Sequence, residues 1–414
     1  MKNSLASFLN RVIYWLIIIL PFSVAIAPAP ANVFMGLLIA SFLAKRMIKK
    51  ERLFARTEIN LPLLFFFMIT CLSVLNSINL RDTLKGGILR LLQYAFIFFT
   101  VAGEVKNKKH AARIIIAAAC GLMLASTDAI WQVVTGRDFI RGYPASIVIG
   151  LTRATASFND PNVLGVYLSA LAPLVFGIAI YSHKKTVKTT AAIASLFALT
   201  GIVLTYSRPT LLAAYIALLF LGIAGKNKFL IGALLVLALI SPFIAPKPIK
   251  NWAKEVGYNP ARFFCNDDRI AAYRNSLNMI KAHPFIGVGA NTFMKNYKKY
   301  KASPEYRNVI TADFMQAHDN FLHIAGELGL TGLLIFIWLV YRLFKGCANI
   351  YERLSDGPAR VILLSLAASL IAFLVNGLTE SSLYSSRVAL IFWFLAGFAL
   401  ALNNFTDAAK LQNS

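Results

Sequence analysis

The chain has 414 residues, 58% of them hydrophobic and only 14% charged, with a formal net charge of +24. Soluble domains run near half apolar and a quarter charged, so this composition excludes an ordinary soluble fold and points to an integral membrane protein. The positive excess does not imply nucleic-acid binding. Most of it sits in short loops between apolar runs, where Lys and Arg retain a loop on the cytoplasmic side.

Apolar runs of bilayer length recur along the chain. Spans are expected at about 12–28, 31–44, 60–78, 86–103, 114–134, 162–181, 189–206, 209–225, 229–246, 328–344, 361–378 and 388–403. The first follows Lys2 and Arg11 as in a signal peptide, yet no small-residue cleavage site precedes the next run, so it reads as a retained helix. Lys45, Arg46, Lys49, Lys50, Arg52 and Arg56 follow the second span. Lys106, Lys108, Lys109 and Arg113 follow the fourth, and Lys184, Lys185 and Lys188 the sixth. Lys226 and Lys228 follow the eighth, and Arg342, Lys345, Arg353 and Arg360 surround the loop after the tenth. All of these share one face if both termini are cytoplasmic, which favours about twelve spans over eleven or thirteen. The expected fold is therefore an all-α polytopic membrane protein, residues 1–414 forming a single integral domain with about 12 transmembrane helices.

The opposite face receives the loop 135–161, a tight corner at Arg208, the long loop 247–327 and the short turn 379–387. A loop as long as 247–327, with helical patterning of its own, is usually functional. We read it as a catalytic loop on the non-cytoplasmic side. Within it, Asp268–Ile280 has apolar residues at helical spacing, an acidic start and Pro284 beyond its end, which predicts a short helix. His283-Pro284-Phe285-Ile286-Gly287-Val288-Gly289-Ala290-Asn291 follows as a glycine-rich turn. Lys295, Lys298, Lys299 and Lys301 then interleave with Tyr297 and Tyr300.

Arg208 stands in Ser207-Arg208-Pro209-Thr210, between two spans with almost no loop to dissolve its charge. An arginine there is costly unless paired, hydrated or snorkelling, so it is a functional candidate as well as a possible interfacial anchor. Pro209 suits the first turn of the next helix, whose free N–H groups favour an anion. Arg269 opens the loop helix after Asp267 and Asp268. It either pairs with those aspartates or joins Arg208 in gripping a diphosphate through bidentate hydrogen bonds. Arg274, further along, is a weaker candidate. His318 is the best general base, since an imidazole titrates near pH 6.5 and can accept a hydroxyl proton around neutrality. His323 suits packing or orientation, and Asp313 or Asp319 is placed to orient the imidazole. From the earlier loop, Arg141 and Arg153 add positive charge, and Asp160 in Phe158-Asn159-Asp160-Pro161-Asn162 reads first as a helix cap. Asp128 lies inside a span, where an arginine is its natural partner; Glu380 and Arg387 are ambiguous.

The chain has no phosphate-binding GxxxxGK[ST] loop, no dinucleotide glycine fingerprint and no metal-ligand spacing. Cys71, Cys120, Cys265 and Cys347 lie far apart, which argues against a structural disulfide. An enzyme built this way needs an activated, lipid-borne donor and no metal or other cofactor, with cationic side chains stabilising the leaving diphosphate.

Four motifs, in order, resemble the O-antigen ligase and polymerase superfamily of bacterial inner-membrane glycan-transfer proteins. They are Phe158-Asn159-Asp160-Pro161-Asn162-Val163-Leu164-Gly165, Ser207-Arg208-Pro209-Thr210-Leu211-Leu212, His283-Pro284-Phe285-Ile286-Gly287-Val288-Gly289, and His318-Asp319-Asn320-Phe321-Leu322 followed by Gly326-Glu327-Leu328-Gly329. The resemblance implies a lipid-donor glycosyltransferase fold in the inner membrane, with the large loop periplasmic and carrying short helices. The donor would be an undecaprenyl-pyrophosphate-linked glycan and the acceptor the lipid A–core oligosaccharide, joined with inversion at the anomeric carbon. Arg208 and Arg269 would hold the pyrophosphate, and His318 would deprotonate the acceptor hydroxyl. Many members read His-Asn where this chain reads His318-Asp319-Asn320, and the added acid bears on the basicity of His318. An O-antigen polymerase shares the motif set and is the alternative. A polysaccharide transporter is disfavoured because polarity is concentrated in one loop rather than in broken mid-membrane helices. A non-catalytic assembly scaffold, the remaining reading, predicts that His318→Ala keeps function.

Overall fold

The structure is a computed structural model that describes residues 2–148, 150–265, 267–301 and 313–405. Part of the long loop, 302–312, lies outside the described residues. The helices in chain order are α1 (Lys2–Ile26), α2 (Pro28–Lys49), α3 (Asn60–Leu72, continued by the 3₁₀ turn Ser73–Asn76), α4 (Leu80–Glu104) and α5 (Lys108–Thr135). They continue with α6 (Pro161–Tyr181), α7 (Lys185–Leu204), α8 (Arg208–Ala224), α9 (Lys228–Ile244), α10 (Lys247–Glu255), α11 (Pro260–Phe264) and α12 (Asp267–Ala282). The last are α13 (Phe293–Asn296), α14 (Asn320–Arg353), α15 (Pro358–Asn376) and α16 (Ser386–Ala401).

Every expected span falls on one of these helices. Eight helices (α1, α2, α4, α5, α6, α7, α14 and α15) are long and apolar enough to cross a bilayer. α9 and α10 form a pair bent by 85°, and α3, α8 and α16 are shorter apolar helices. The protein is thus a polytopic, mostly helical membrane protein. Besides helix, the described residues contain a small antiparallel hairpin in the first exposed loop, β1 (Ser146–Val148) with β2 (Leu151–Arg153).

Local chemistry sets the helix ends. Asp160 caps α6 by accepting from the Asn162 and Val163 N–H groups at 2.7 and 3.0 Å, as the sequence suggested. Asn107 and Asn227 cap α5 and α9 in the same way. Asp319 caps α14 through the Leu322 N–H at 2.7 Å, so this helix begins well before the expected boundary at 328. Hydropathy placed the boundary at a real feature: Gly329 (φ 72°, ψ −179°) breaks the helix there. α4 contains a π-helical stretch at Thr83–Leu89, around Gly86 and Gly87, which periodicity gave no hint of.

α16 is buried from Arg387 to Ala401 and α6 over most of its length, so these two form the centre of the bundle. α6 packs chiefly on α7 and α15, and α16 on α4. α9 packs mainly on α8 and leaves Val236, Leu239, Phe243 and Ile244 exposed, as a lipid-facing helix does.

The basic inter-span loops gather at one end. There Lys45 and Arg46 bond Glu104 at 2.6 and 3.0 Å, Arg342 pairs with Glu58, and Asn404 bonds the Ala102 and Val105 carbonyls. The other end holds the hairpin, the Arg208 corner, the described parts of the long loop and the turn before α16. Arg387 ties that end together. Buried against the Phe158 ring, it donates to the Val24 and Ser157 carbonyls and to Ser157 Oγ. Its part is structural, because each of its three nitrogens donates to protein. Asp128 is fully buried and pairs with no arginine among the described residues; it accepts from the Phe139 N–H at 2.8 Å and so anchors the first exposed loop.

Candidate functional site

The corner between α7 and α8 turns in Tyr206 (φ 47°) and Ser207, and Pro209 fixes the first turn of α8. Arg208 leaves the corner with its guanidinium between two aromatic faces, 5.4 Å from the Trp252 ring on α10 and 5.1 Å from the Phe263 ring on α11. Such faces hold a cation without neutralising it. Arg208 forms no ion pair among the described residues, and its buried Nη1 has no hydrogen-bond partner there.

Arg153 supports the same corner. Its Nε donates to the Thr205 carbonyl at 2.8 Å and its Nη2 to Asn162 Oδ1 at 2.9 Å, while the Ala154 N–H bonds the Leu204 carbonyl at 2.9 Å. Burial draws the Arg153 pKa below the usual guanidinium value; Asp160 opposes this, Arg269 adds to it and Glu380 opposes it. Arg153, Tyr206, Arg208, Ile249 and Trp252 line a cavity of about 70 Å³. Arg269 lies within charge–charge range of both Arg208 and Arg153. This end of the bundle therefore concentrates cationic side chains under an aromatic cover.

α12 brings Arg269 inward. The guanidinium donates to the Phe264 carbonyl through Nη1 at 3.0 Å and pairs with Glu380 Oε1, in the turn before α16, through Nη2. The second carboxylate oxygen of Glu380 lies 3.5 Å from His318 Nδ1. Glu380 is nearly buried while His318 keeps 27% of its side chain exposed, so the imidazole remains open to a substrate. His318 sits in the left-handed region (φ 50°), held by the Tyr273 hydroxyl on its carbonyl at 3.4 Å and by the Asn320 N–H on the Gly377 carbonyl at 2.7 Å.

Neither aspartate weighed as the orienting acid serves that purpose. Asp313 is held by Lys298 and Lys301 at 2.8 and 2.9 Å, which keeps its carboxyl at about 2. Asp319 is turned to the α14 N-terminus; burial pushes its carboxyl up to about 6, against the lowering effect of the Leu322 and Phe321 N–H groups.

The two glycine-bearing motifs pack on each other. Val288 and Gly289 donate to the Gly326 and Glu327 carbonyls at 3.0 Å, and Leu330 donates to the Pro284 carbonyl at 2.7 Å. Glu327 returns the contact, accepting from the Asn291 and Phe293 N–H groups at 2.7 and 3.0 Å. Gly287 and Gly329 both have positive φ, and a Cβ on either would overlap the backbone of the opposite strand of this junction. His323, fully buried, lies face to face with Tyr384 (3.5 Å between centroids) and bonds Ser381 Oγ at 3.0 Å. It is thus a packing residue beneath the Glu380 turn.

Residues 193–337 match the family model described as O-antigen ligase. This stretch of the chain is similar to that family. Arg208, Arg269 and His318 all fall inside the matched segment, and so do Arg274, Asp319 and Glu327. Arg153, Asp160 and Glu380 lie outside it. No curated protein matches the chain.

The structure brings together Arg269 and His318 through Glu380, with Arg208 and Arg153 within charge–charge range of Arg269. Arg274, exposed on α12, and Asp160, exposed at the α6 cap, face solvent. Sequence reasoning left Glu380 ambiguous and passed over Trp252, Phe263 and Tyr273. The signal for Glu380 was present: it is an acid in a short polar turn between two apolar runs. The aromatic residues carried no comparable mark. The match supports an O-antigen ligase- or polymerase-like role, a family whose substrates are lipid-linked glycans.

Proposed function

We propose that the protein transfers an undecaprenyl-pyrophosphate-linked O-antigen glycan to a sugar hydroxyl of the lipid A–core, at the periplasmic face of the inner membrane. The observation that carries this is the Arg269–Glu380–His318 cluster beside the aromatic-covered Arg208. Cations for a diphosphate and an open imidazole lie at the same end of the bundle.

In this reading Arg208 and Arg269 take the two phosphates of the donor, and Arg153 braces the corner that presents Arg208. The acceptor hydroxyl attacks the anomeric carbon from the face opposite the diphosphate. The new C–O bond forms as the bond to the phosphate oxygen breaks, and configuration inverts. The hydroxyl proton passes to the imidazole of His318, whose other nitrogen faces Glu380, so the developing imidazolium is stabilised by a carboxylate. The electron pair of the broken bond leaves on the diphosphate, and the two guanidinium groups offset its charge. No nucleotide is consumed, because the donor is already activated.

Topology supports the same placement. The basic loops collect at the far end, which the positive-inside rule assigns to the cytoplasm, together with the start of α1 and the end of α16. A tag near residue 300 that reports the cytosol would reverse the assignment and end the proposal.

The decisive assay uses purified protein, the lipid-linked glycan and separate acceptors. Transfer to lipid A–core is expected; lengthening of the lipid-linked glycan alone identifies a polymerase instead. In a strain lacking the native protein, His318→Ala and Arg208→Ala are expected to abolish glycan-capped lipopolysaccharide while the protein stays in the membrane. A normal long-chain ladder from His318→Ala removes the general base from the mechanism.

A further inference from the structure

A second cavity, of about 280 Å³, opens between α3, α4, α14 and α16 and shares no lining residue with the Arg153–Arg208 cavity. Its upper wall is polar, with Arg90, Asn291 and Tyr384; its lower wall is apolar, with Phe66, Phe336 and Trp393. Along α16 the lining runs from Ser386 to Trp393, a depth of roughly 10 Å at 1.5 Å per residue. The outer faces of the helices beside it expose Phe65, Met68, Leu84 and Leu89, so the cavity is flanked by lipid-facing surface.

Two charged groups line the cavity, and only one is available. Glu327 is occupied by the Asn291 and Phe293 N–H groups. Arg90 forms no ion pair among the described residues; it reaches Asn32 Oδ1 at 3.5 Å and the Tyr94 hydroxyl. A cation at the top of an apolar shaft matches an amphiphile with an anionic head and an acyl tail. The π-helical stretch with Gly86 and Gly87 forms part of the wall, where Gly87 packs so closely on Ala290 that a side chain there would displace it.

The position relates the cavity to the reaction. Tyr384 lines it, while Glu380, in the same short turn, faces Arg269 and His318. A ligand here sits across that turn from the cationic pocket of the donor. We infer that this cavity seats the lipid acceptor, taking one acyl chain between α3, α4, α14 and α16 and holding a phosphate at Arg90. The inference rests on the transfer reaction proposed above.

The test uses full-length protein in nanodiscs and measures binding directly, without turnover. The probes are a radiolabelled phosphorylated acyl lipid, the same lipid without phosphate, and inorganic phosphate. Arg90→Gln is expected to weaken binding of the phosphorylated lipid about tenfold, the loss of one charge-assisted contact, with Arg90→Lys largely restoring it. Leu91→Trp, which fills the shaft, is expected to block it. In the transfer assay Arg90→Gln is expected to raise the acceptor KM and leave the donor KM and kcat near wild type. Equal binding of the phosphate-free lipid, or displacement by inorganic phosphate alone, overturns the seat. A rise in donor KM instead assigns the cavity to the donor and overturns it too. If wild-type protein transfers to no acceptor yet binds the lipid through Arg90, the transfer reading fails and the seat stands.

Discussion

Glu380 holds Arg269 with one carboxylate oxygen and faces the His318 imidazole with the other, at 3.5 Å. One acid thus joins the proposed phosphate-binding cation and the proposed base, which come from different parts of the long loop. Glu380→Gln keeps the shape but removes the charge. It is expected to lower kcat by up to about 10²–10⁴, the whole contribution of a general base, with normal membrane levels. Unchanged transfer by purified Glu380→Gln protein would mean that the pairing is only structural.

Arg208 lies between Trp252 and Phe263, and Trp252 belongs to the helix bent 85° from α9. A planar guanidinium exploits both ring faces and still presents N–H groups to two phosphate oxygens, which an ammonium cannot do. Arg208→Lys is therefore expected to fall close to Arg208→Ala in donor kcat/KM. Trp252→Ala is expected to raise the donor KM several-fold, since a half-buried cation–π contact contributes about 1 kcal/mol. Full activity of Arg208→Lys would reduce its role to that of a point charge.

The helices were legible because bilayer-length apolar runs and Asn or Asp caps are local signals, and Asp160 is a direct example. Arg208, Arg269 and His318 were legible as polar residues at membrane corners. Their common partner was not, because Glu380 is separated from Arg269 by 111 residues and from His318 by 62. Only the docking of the last turn against the long loop brings them together. Trp252 and Phe263 were hidden for another reason: an aromatic residue in a polar loop looks the same whether it covers a cation or anchors in the interface. The break at Gly329 was visible only as a hydropathy boundary.

The junction between the two glycine motifs fastens the long loop to α14, the helix that begins just after His318. Gly329 occupies a region of backbone space open essentially to glycine, and Gly287 has φ 71°. Gly329→Ala and Gly287→Ala each add about 1–3 kcal/mol of strain and an overlap with the facing backbone. Both are expected to lower the melting temperature and the yield of monodisperse protein. Gly232→Ala, inside a helix and with open space around its Cβ, is the control and is expected to be at least as stable as wild type.

Asp319 offers a pH test separate from catalysis. Burial raises its carboxyl to about 6, whereas an unfolded aspartate titrates near 3.9. Between these values the folded chain holds the proton that the unfolded chain has released, so stability falls as pH rises from about 4 to 6. This contribution is complete below the unfolded value and is lost once pH passes the folded one. Asp319→Asn keeps a side-chain oxygen for the Leu322 N–H, since Asn caps a helix as well as Asp. The variant is expected to lose this part of the pH dependence, retain the α14 cap and remain active, because the carboxylate facing His318 belongs to Glu380. Melting temperatures of wild type and Asp319→Asn from pH 4 to 7 provide the check: the wild-type curve should decline relative to the variant across that window, and parallel curves would place the Asp319 carboxyl at an ordinary value.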